Sequence, residues 1–163
     1  MRVDGFLAFL REWFRAGPSA MREFGLLVGD MVGGGRFRRE SMVFEGFKQS
    51  FWPIVRRHFY ESNLFMGVGY WETGELEPSL GSMLYDRLTY DFDSEGDPRL
   101  AMDVALEFAG LVRDRYRGEA VVVKSGFKGA HVHIPLKQPV PWEDYQVIWK
   151  ALLRLLPPEK QML

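Results

Sequence analysis

The chain contains no cysteine. Disulfides, thiolate zinc sites and cysteine nucleophiles are excluded together, while the redox compartment stays open. No segment approaches the ~20 consecutive apolar residues that a membrane span needs. The apolar N-terminal stretch is interrupted by Arg11 and Glu12 before it reaches the length of a signal-peptide core. Internal repeats and long linkers are missing too. These absences lead to the expectation of one soluble intracellular domain, 1–163, with no membrane partner.

What is present fits a compact fold. Of 163 residues, 47% are apolar, 15% aromatic and 26% charged, enough to bury one core of ordinary size. The net charge of −1 conceals a bias of arginine over lysine, and arginine is the cation that grips phosphate with two donors at once. Base composition or heat adaptation produces the same bias.

Apolar spacing of three and four from Phe6 to Phe14 predicts a helix, ended by Gly17-Pro18. A strand is expected over 24–28, then a flexible turn at Gly33, Gly34 and Gly35, which lacks the GK[ST] ending of a phosphate loop. The basic group Arg36, Arg38 and Arg39 follows. Next come a short strand over 41–44, a helix over 47–60 with Pro53 in its first turn or at a break, a strand over 64–70 and a loop over 72–82. The rest reads as a strand over 88–93, a helix over 98–116 opened by Pro98, strands over 120–124 and 130–136, and a helix over 142–156 stopped by Pro157-Pro158. This order predicts an α+β fold, a mixed or antiparallel sheet with flanking helices on one face.

Two stretches carry chemistry. In LTYDFD, 88–93, the two-residue period of a strand puts Thr89, Asp91 and Asp93 on one face and Leu88, Tyr90 and Phe92 on the other. Two carboxylates that close repel unless a cation lies between them, which favours a hard divalent ion such as magnesium or manganese. The same acids also read as a strand end opening the acidic turn Ser94, Glu95, Gly96 and Asp97. In SGFKGAHVHI, 125–134, Ser125 and Gly126 enter a tight turn whose N–H groups and hydroxyl cradle an anion, with Lys128 adding charge. His131 and His133 share one face of the following strand, where an imidazole donates to a phosphate oxygen or simply sits half-buried in a hairpin. Zinc is not expected there, because third and fourth ligands are lacking. Carboxylates for metal beside a hairpin for phosphate meet the needs of nucleotidyl transfer.

A D-x-D strand followed by an S-G-x-x-G-x-H hairpin resembles the catalytic core of the archaeo-eukaryotic primase superfamily, in particular the small catalytic subunits of DNA primase. Arg22-Glu23-Phe24, after a helix ending in Glu12-Trp13-Phe14, is similar to the R-E-F segment that opens that core. The stretch from Arg38 to Phe44 resembles the arginine-containing strand after it. The resemblance implies a primase-polymerase (RRM-like) core that makes primers for DNA replication from nucleoside triphosphates on a single-stranded DNA template. Asp91 and Asp93 would hold Mg2+ or Mn2+, and Ser125, Gly126, Gly129 and His131 would surround the triphosphate. Arg38 or Arg39 would touch phosphate or template, and Lys128, lying between motif positions, rests on its charge alone. A large subunit is the implied partner in a primosome. The implied location is the cytoplasm of an archaeon or bacterium, or the nucleus of a eukaryote.

Two departures stand out. The cysteine-rich zinc insertion of primase small subunits is missing, and so is the later strand-borne aspartate, since the acids after His133 are Glu143, Asp144 and Glu159. A split or truncated core completed by a second chain, an acid recruited from elsewhere such as Glu40, and a compact variant are the three explanations. The ending PPEKQML after a helix favours the first. The main alternative is a primase-fold subunit that binds nucleotide or single strands without catalysis. A haloacid-dehalogenase-type phosphatase would want its D-x-D near the N-terminus. An RNA-recognition sheet with Phe37, Tyr70 and Trp71 as stacking platforms would have no use for paired aspartates.

Overall fold

The computed structural model describes residues 3–13, 17–29, 35–72, 81–125 and 128–162. Phe14, Gly33, Gly34, Gly126 and most of the expected 72–82 loop lie outside the described residues. The chain is α+β, with antiparallel strands and flanking helices, and groups into two compact units, Met1–Met83 and Leu84–Leu163.

In the first unit, α1 (Val3–Trp13) precedes β1 (Ala20–Val28) and β2 (Arg36–Met42). The arginine group is therefore part of a strand, and the short strand expected over 41–44 is the end of that strand, stopping at Met42. Phe44 already starts a helix. The expected 47–60 helix is two helices, α2 (Phe44–Ser50) and α3 (Trp52–Arg57). They meet at Phe51, and Pro53 sits in the first turn of α3, where its missing N–H costs no intrahelical bond. The expected 64–70 strand also divides, into β3 (Ser62–Met66) and β4 (Gly69–Glu72). At the break the Gly67 N–H donates to the Glu23 carbonyl at 2.8 Å.

β1 pairs antiparallel with β2, β3 and β4. Its even positions Phe24 and Leu26 are buried with Leu10 of α1, Phe47 of α2, and Phe51, Trp52 and Val55. Phe24 stacks on Phe47 with ring centroids 4.8 Å apart. Arg22 is buried as well; its Nη1 donates to the Val68 carbonyl at 2.6 Å, and the guanidinium lies 5.1 Å from the Tyr70 ring. This arginine ties β1 to the break before β4, which is a structural task.

In the second unit, β5 (Leu84–Asp93) is followed by α4 (Pro98–Tyr116), β6 (Val121–Ser125), β7 (Gly129–Pro141) and α5 (Trp142–Leu153). α4 has the bounds expected from sequence because its signals are local. Pro98 fills the first turn, and the Asp97 carboxylate accepts from the Arg99 N–H at 3.0 Å as the N-cap. Arg117 ends the helix in the left-handed region at φ 50°. β5 and β7 run longer than expected because they extend each other, pairing Leu84 with Pro141 and Tyr85 with Val140 beyond an irregularity at Tyr85/Arg87.

β7 lies between β5 and β6 in an antiparallel sheet. Leu88, Tyr90, Phe92, Ala130, Val132 and Ile134 point to one side and are buried against Val104, Phe108 and Val112 of α4 and Leu152 of α5. Each large side chain so buried contributes about 1.5–3 kcal/mol. Tyr90 lies parallel to Trp149 at 5.1 Å, and its hydroxyl donates to the Trp149 carbonyl at 2.9 Å. The Trp149 indole N–H in turn donates to the Thr89 carbonyl at 3.0 Å, so the polar edges of the pair are satisfied. Among the described residues, no helix is long and apolar enough to cross a membrane.

Candidate functional site

Two-residue alternation sends the other set of side chains to the face of this sheet opposite α4 and α5. The strand register then fixes which of them meet. Thr89 pairs with His133, Asp91 with His131, and Asp93 with Gly129 across β5 and β7. Across β7 and β6, His131 pairs with Val123 and Gly129 with Ser125. Directly paired residues in antiparallel strands have Cα atoms ~5 Å apart. The register therefore gathers Asp91, Asp93, Ser125, Gly129 and His131 from segments some thirty residues apart in the chain. Lys128 adjoins them in the turn before β7. Gly126 lies outside the described residues.

Contacts within the face are specific. His131 Nε2 is 3.2 Å from Asp91 Oδ1, an ion pair when the ring is protonated. His133 Nδ1 shares a 3.1 Å hydrogen bond with Thr89 Oγ1. Its ring lies edge-on to that of His131 with centroids 5.9 Å apart. Burial, helped by the nearby charges of His131 and Arg87, pushes the His133 imidazole down to about 4, so it is neutral at physiological pH. The two histidines are thus different in kind. His131 faces a carboxylate at the open side, and His133 is an anchored neutral ring deeper in the sheet.

Gly129 is required by close approach. A Cβ placed there would meet the Phe92 carbonyl and the Asp93 carboxylate well inside contact distance, so only glycine lets β7 begin against the end of β5. The Ser94 N–H donates to the Lys128 carbonyl at 3.2 Å, closing the turn against the strand end. Lys128 Nζ stands 3.9 Å from Glu95 Oε1 on an exposed surface.

The donor set fits a hard divalent cation in a limited way. Asp91 and Asp93 are exposed neighbours on one strand face, and magnesium is commonly held by one or two carboxylates together with substrate phosphates and water. Among the described residues, no group of three or more His, Cys, Asp or Glu side chains gathers to hold a metal. Arg38 and Arg39 belong to β2 in the first unit, where Arg38 Nε donates to Glu40 Oε1 at 2.6 Å and Arg39 pairs with Glu23. Glu40, named as a substitute acid, is thus already partnered. Of the proposed stacking residues, Phe37 is exposed while Tyr70 and Trp71 are buried.

Sequence reasoning missed Thr89 as the partner of His133 and Glu95 as the neighbour of Lys128. Alternation placed Thr89 on the correct face, but only the register names its cross-strand partner. The class defined by this unit is an antiparallel sheet with one face sealed by two helices and the other bearing acids, histidines and a glycine-gated turn. No protein-family model matches the chain, and neither the curated proteins nor the solved structures contain a match.

Proposed function

We propose that the chain is a template-directed nucleotidyltransferase with a primase-polymerase core, making primers from nucleoside triphosphates. The observation that carries this reading is the register placing Asp91 and Asp93 beside His131, Gly129 and Ser125 on one open sheet face. Asp91 and Asp93 would hold Mg2+ or Mn2+, which would neutralise phosphate charge and make the attacking hydroxyl a better nucleophile. Ser125, Lys128 and His131 would contact the triphosphate, and Gly129 would keep that side of the turn open to it. Asp91 shares His131 at 3.2 Å, so nucleotide binding would exchange a carboxylate contact of the imidazole for a phosphate one.

Two carboxylates are one fewer than the resemblance calls for, and a second chain carrying a strand-borne acid would supply the third. A primase large subunit and a single-stranded DNA template complete the proposed assembly. The test is manganese-dependent binding of a nucleoside triphosphate to the purified chain and to the Asp91→Ala, Asp93→Ala double variant. Binding that needs both the metal and the aspartates supports the reading; binding indifferent to the aspartates, or no binding, defeats it.

A second reading, a nucleotide-binding subunit without catalysis, draws on the same pairing of Asp91 with His131. It predicts aspartate-dependent binding with no incorporation, even after copurified partner chains are restored.

A further inference from the structure

In the first unit, β2 is an edge strand. Among the described residues it pairs with β1 alone, so on its other side the N–H and C=O groups of every second residue meet no strand. Arg36 to Ser41 are all exposed, and the strand is neither short nor interrupted by proline. It holds three arginines and one glutamate, in a chain whose net charge is −1.

The register decides how those arginines point. Arg36 and Arg38 lie opposite Val28 and Leu26, on the side packed by the helices, with the Arg38 guanidinium 5.0 Å from the centre of the Phe51 ring. Phe37 and Arg39 lie opposite Leu27 and Gly25 and take the other side. A ligand lying on one face of the sheet cannot reach all three guanidinium groups. A strand laid along the edge can, because its side chains alternate to both faces and stand ~5 Å from those of its neighbour.

The side chains are equipped to receive one. Arg38 donates through Nε to Glu40 at 2.6 Å, Arg39 meets Glu23 through Nη2, and Arg36 has no ion pair among the described residues. A guanidinium carries five N–H groups, so these contacts leave donors for incoming carboxylates. Phe37 is 58% exposed, and its ring is held edge to face with Phe65 at 6.1 Å and against Gly25, where a Cβ would stand 3.0 Å from its Cζ. A β-branched side chain on an adjoining strand would cover it. Charge selects the partner. A second copy of β2 would set three more arginines and only one more glutamate against these, which disfavours self-pairing. A nucleic acid has phosphates but no amide groups to complete the ladder.

We propose that β2 receives an acidic, extended segment of a partner protein as an added strand, with carboxylates opposite Arg36, Arg38 and Arg39 and an apolar residue opposite Phe37. The inference rests on the first unit alone and is independent of nucleotidyl transfer.

The experiment is fluorescence anisotropy of a labelled peptide of the length of β2, added to the full-length protein. The peptide carries, in antiparallel register, glutamate opposite each of the three arginines and valine opposite Phe37. Saturable binding is expected, and lysine in place of glutamate in the peptide should abolish it. Two further peptides are N-methylated at alternate residues, one in each phase. The phase that turns its N–H groups to β2 should bind roughly tenfold or more weakly, and the other should keep its affinity, a difference that charge attraction alone does not produce. Arg36→Gln with Arg39→Gln should weaken binding about fivefold at low salt, the loss of two exposed cross-strand charge pairs. The Asp91→Asn, Asp93→Asn variant should bind like the wild type, which separates this edge from the proposed nucleotide site. If the glutamine variant does not fold, the lysine and N-methylated peptides decide the matter on the wild type. No binding of the glutamate peptide, equal binding of the two methylated peptides, or equal binding of the lysine peptide overturns the proposal. So does loss of binding on replacing the aspartates alone, or displacement of the peptide by an equal concentration of oligothymidylate, which would make the edge a general polyanion surface.

Discussion

The two units use one construction and expose different chemistry. Each buries one face of an antiparallel sheet under helices, with Phe24 and Leu26 inward in the first and Tyr90, Phe92 and Val132 inward in the second. The outward residues diverge. The first unit shows Phe37, Phe65 and Arg39 across Gly25, and the second shows Asp91, Asp93, His131 and Ser125 around Gly129. Inward positions are constrained by volume and water exclusion, which many apolar residues satisfy. The exposed outward positions carry less packing demand, although Leu27, Arg87 and His133 show that parts of these faces are buried too, and exposed positions are where function is free to vary on one architecture. Glycine sits centrally in both faces, at Gly25 to let a ring lie down and at Gly129 to let two strand ends meet.

If the second face is the reacting one, the largest effect belongs to its acids. Asp91→Asn or Asp93→Asn should lower primer synthesis, assayed with any required partner chain, by roughly 10³-fold, the loss of several kcal/mol of metal-borne charge stabilisation. Both substitutions are nearly isosteric at exposed positions, so the circular dichroism should be unchanged. Equal losses from Phe37→Ala would erase the contrast between the faces.

Gly129→Ala should be the most damaging to folding, by about 3 kcal/mol in urea titration, because the new methyl meets backbone rather than a movable side chain. Gly25→Ala should cost less, since a ring can shift by a few tenths of an ångström. A reversed order would mean that β5 and β7 are not held as closely as described.

His133 gives a smaller, pH-dependent effect. Its folded value near 4 lies below the ordinary 6.5, so between those pH values the unfolded chain binds a proton that the folded chain refuses. Stability should therefore fall as pH drops from 6.5 towards 4, by about 2 kcal/mol from this group. His133→Asn should remove that part of the slope. In NMR titration the His133 ring should remain neutral above pH 5. A midpoint near 6.5 would show that the ring is not buried as described.

Lys128→Ala should change least. The lysine is exposed and 3.9 Å from Glu95, so stability should move by less than about 0.5 kcal/mol. Triphosphate affinity should drop a few-fold at low salt and converge with wild type at high salt. A salt-independent loss would point to a contact other than charge.

The sequence by itself determined the α+β class, the inward face of β5 and the bounds of α4, because alternation, helical spacing, Asp97 and Pro98 are all local signals. It also placed Asp91 with Asp93, and His131 with His133, on common strand faces. The division of the 47–60 segment was legible only in part, through Pro53 as a first-turn residue or a break, and the division of the 64–70 segment at Gly67 was not, since it depends on the hydrogen bond from the Gly67 N–H to the Glu23 carbonyl of β1. Only the tertiary structure decided that Asp91 meets His131, that His133 answers to Thr89, that Arg22 is buried, and that Phe65 rather than Tyr70 or Trp71 joins Phe37 in the open. Those facts depend on strand register and on which surfaces the helices cover. Both are set by contacts between residues distant in the chain, which no local pattern encodes.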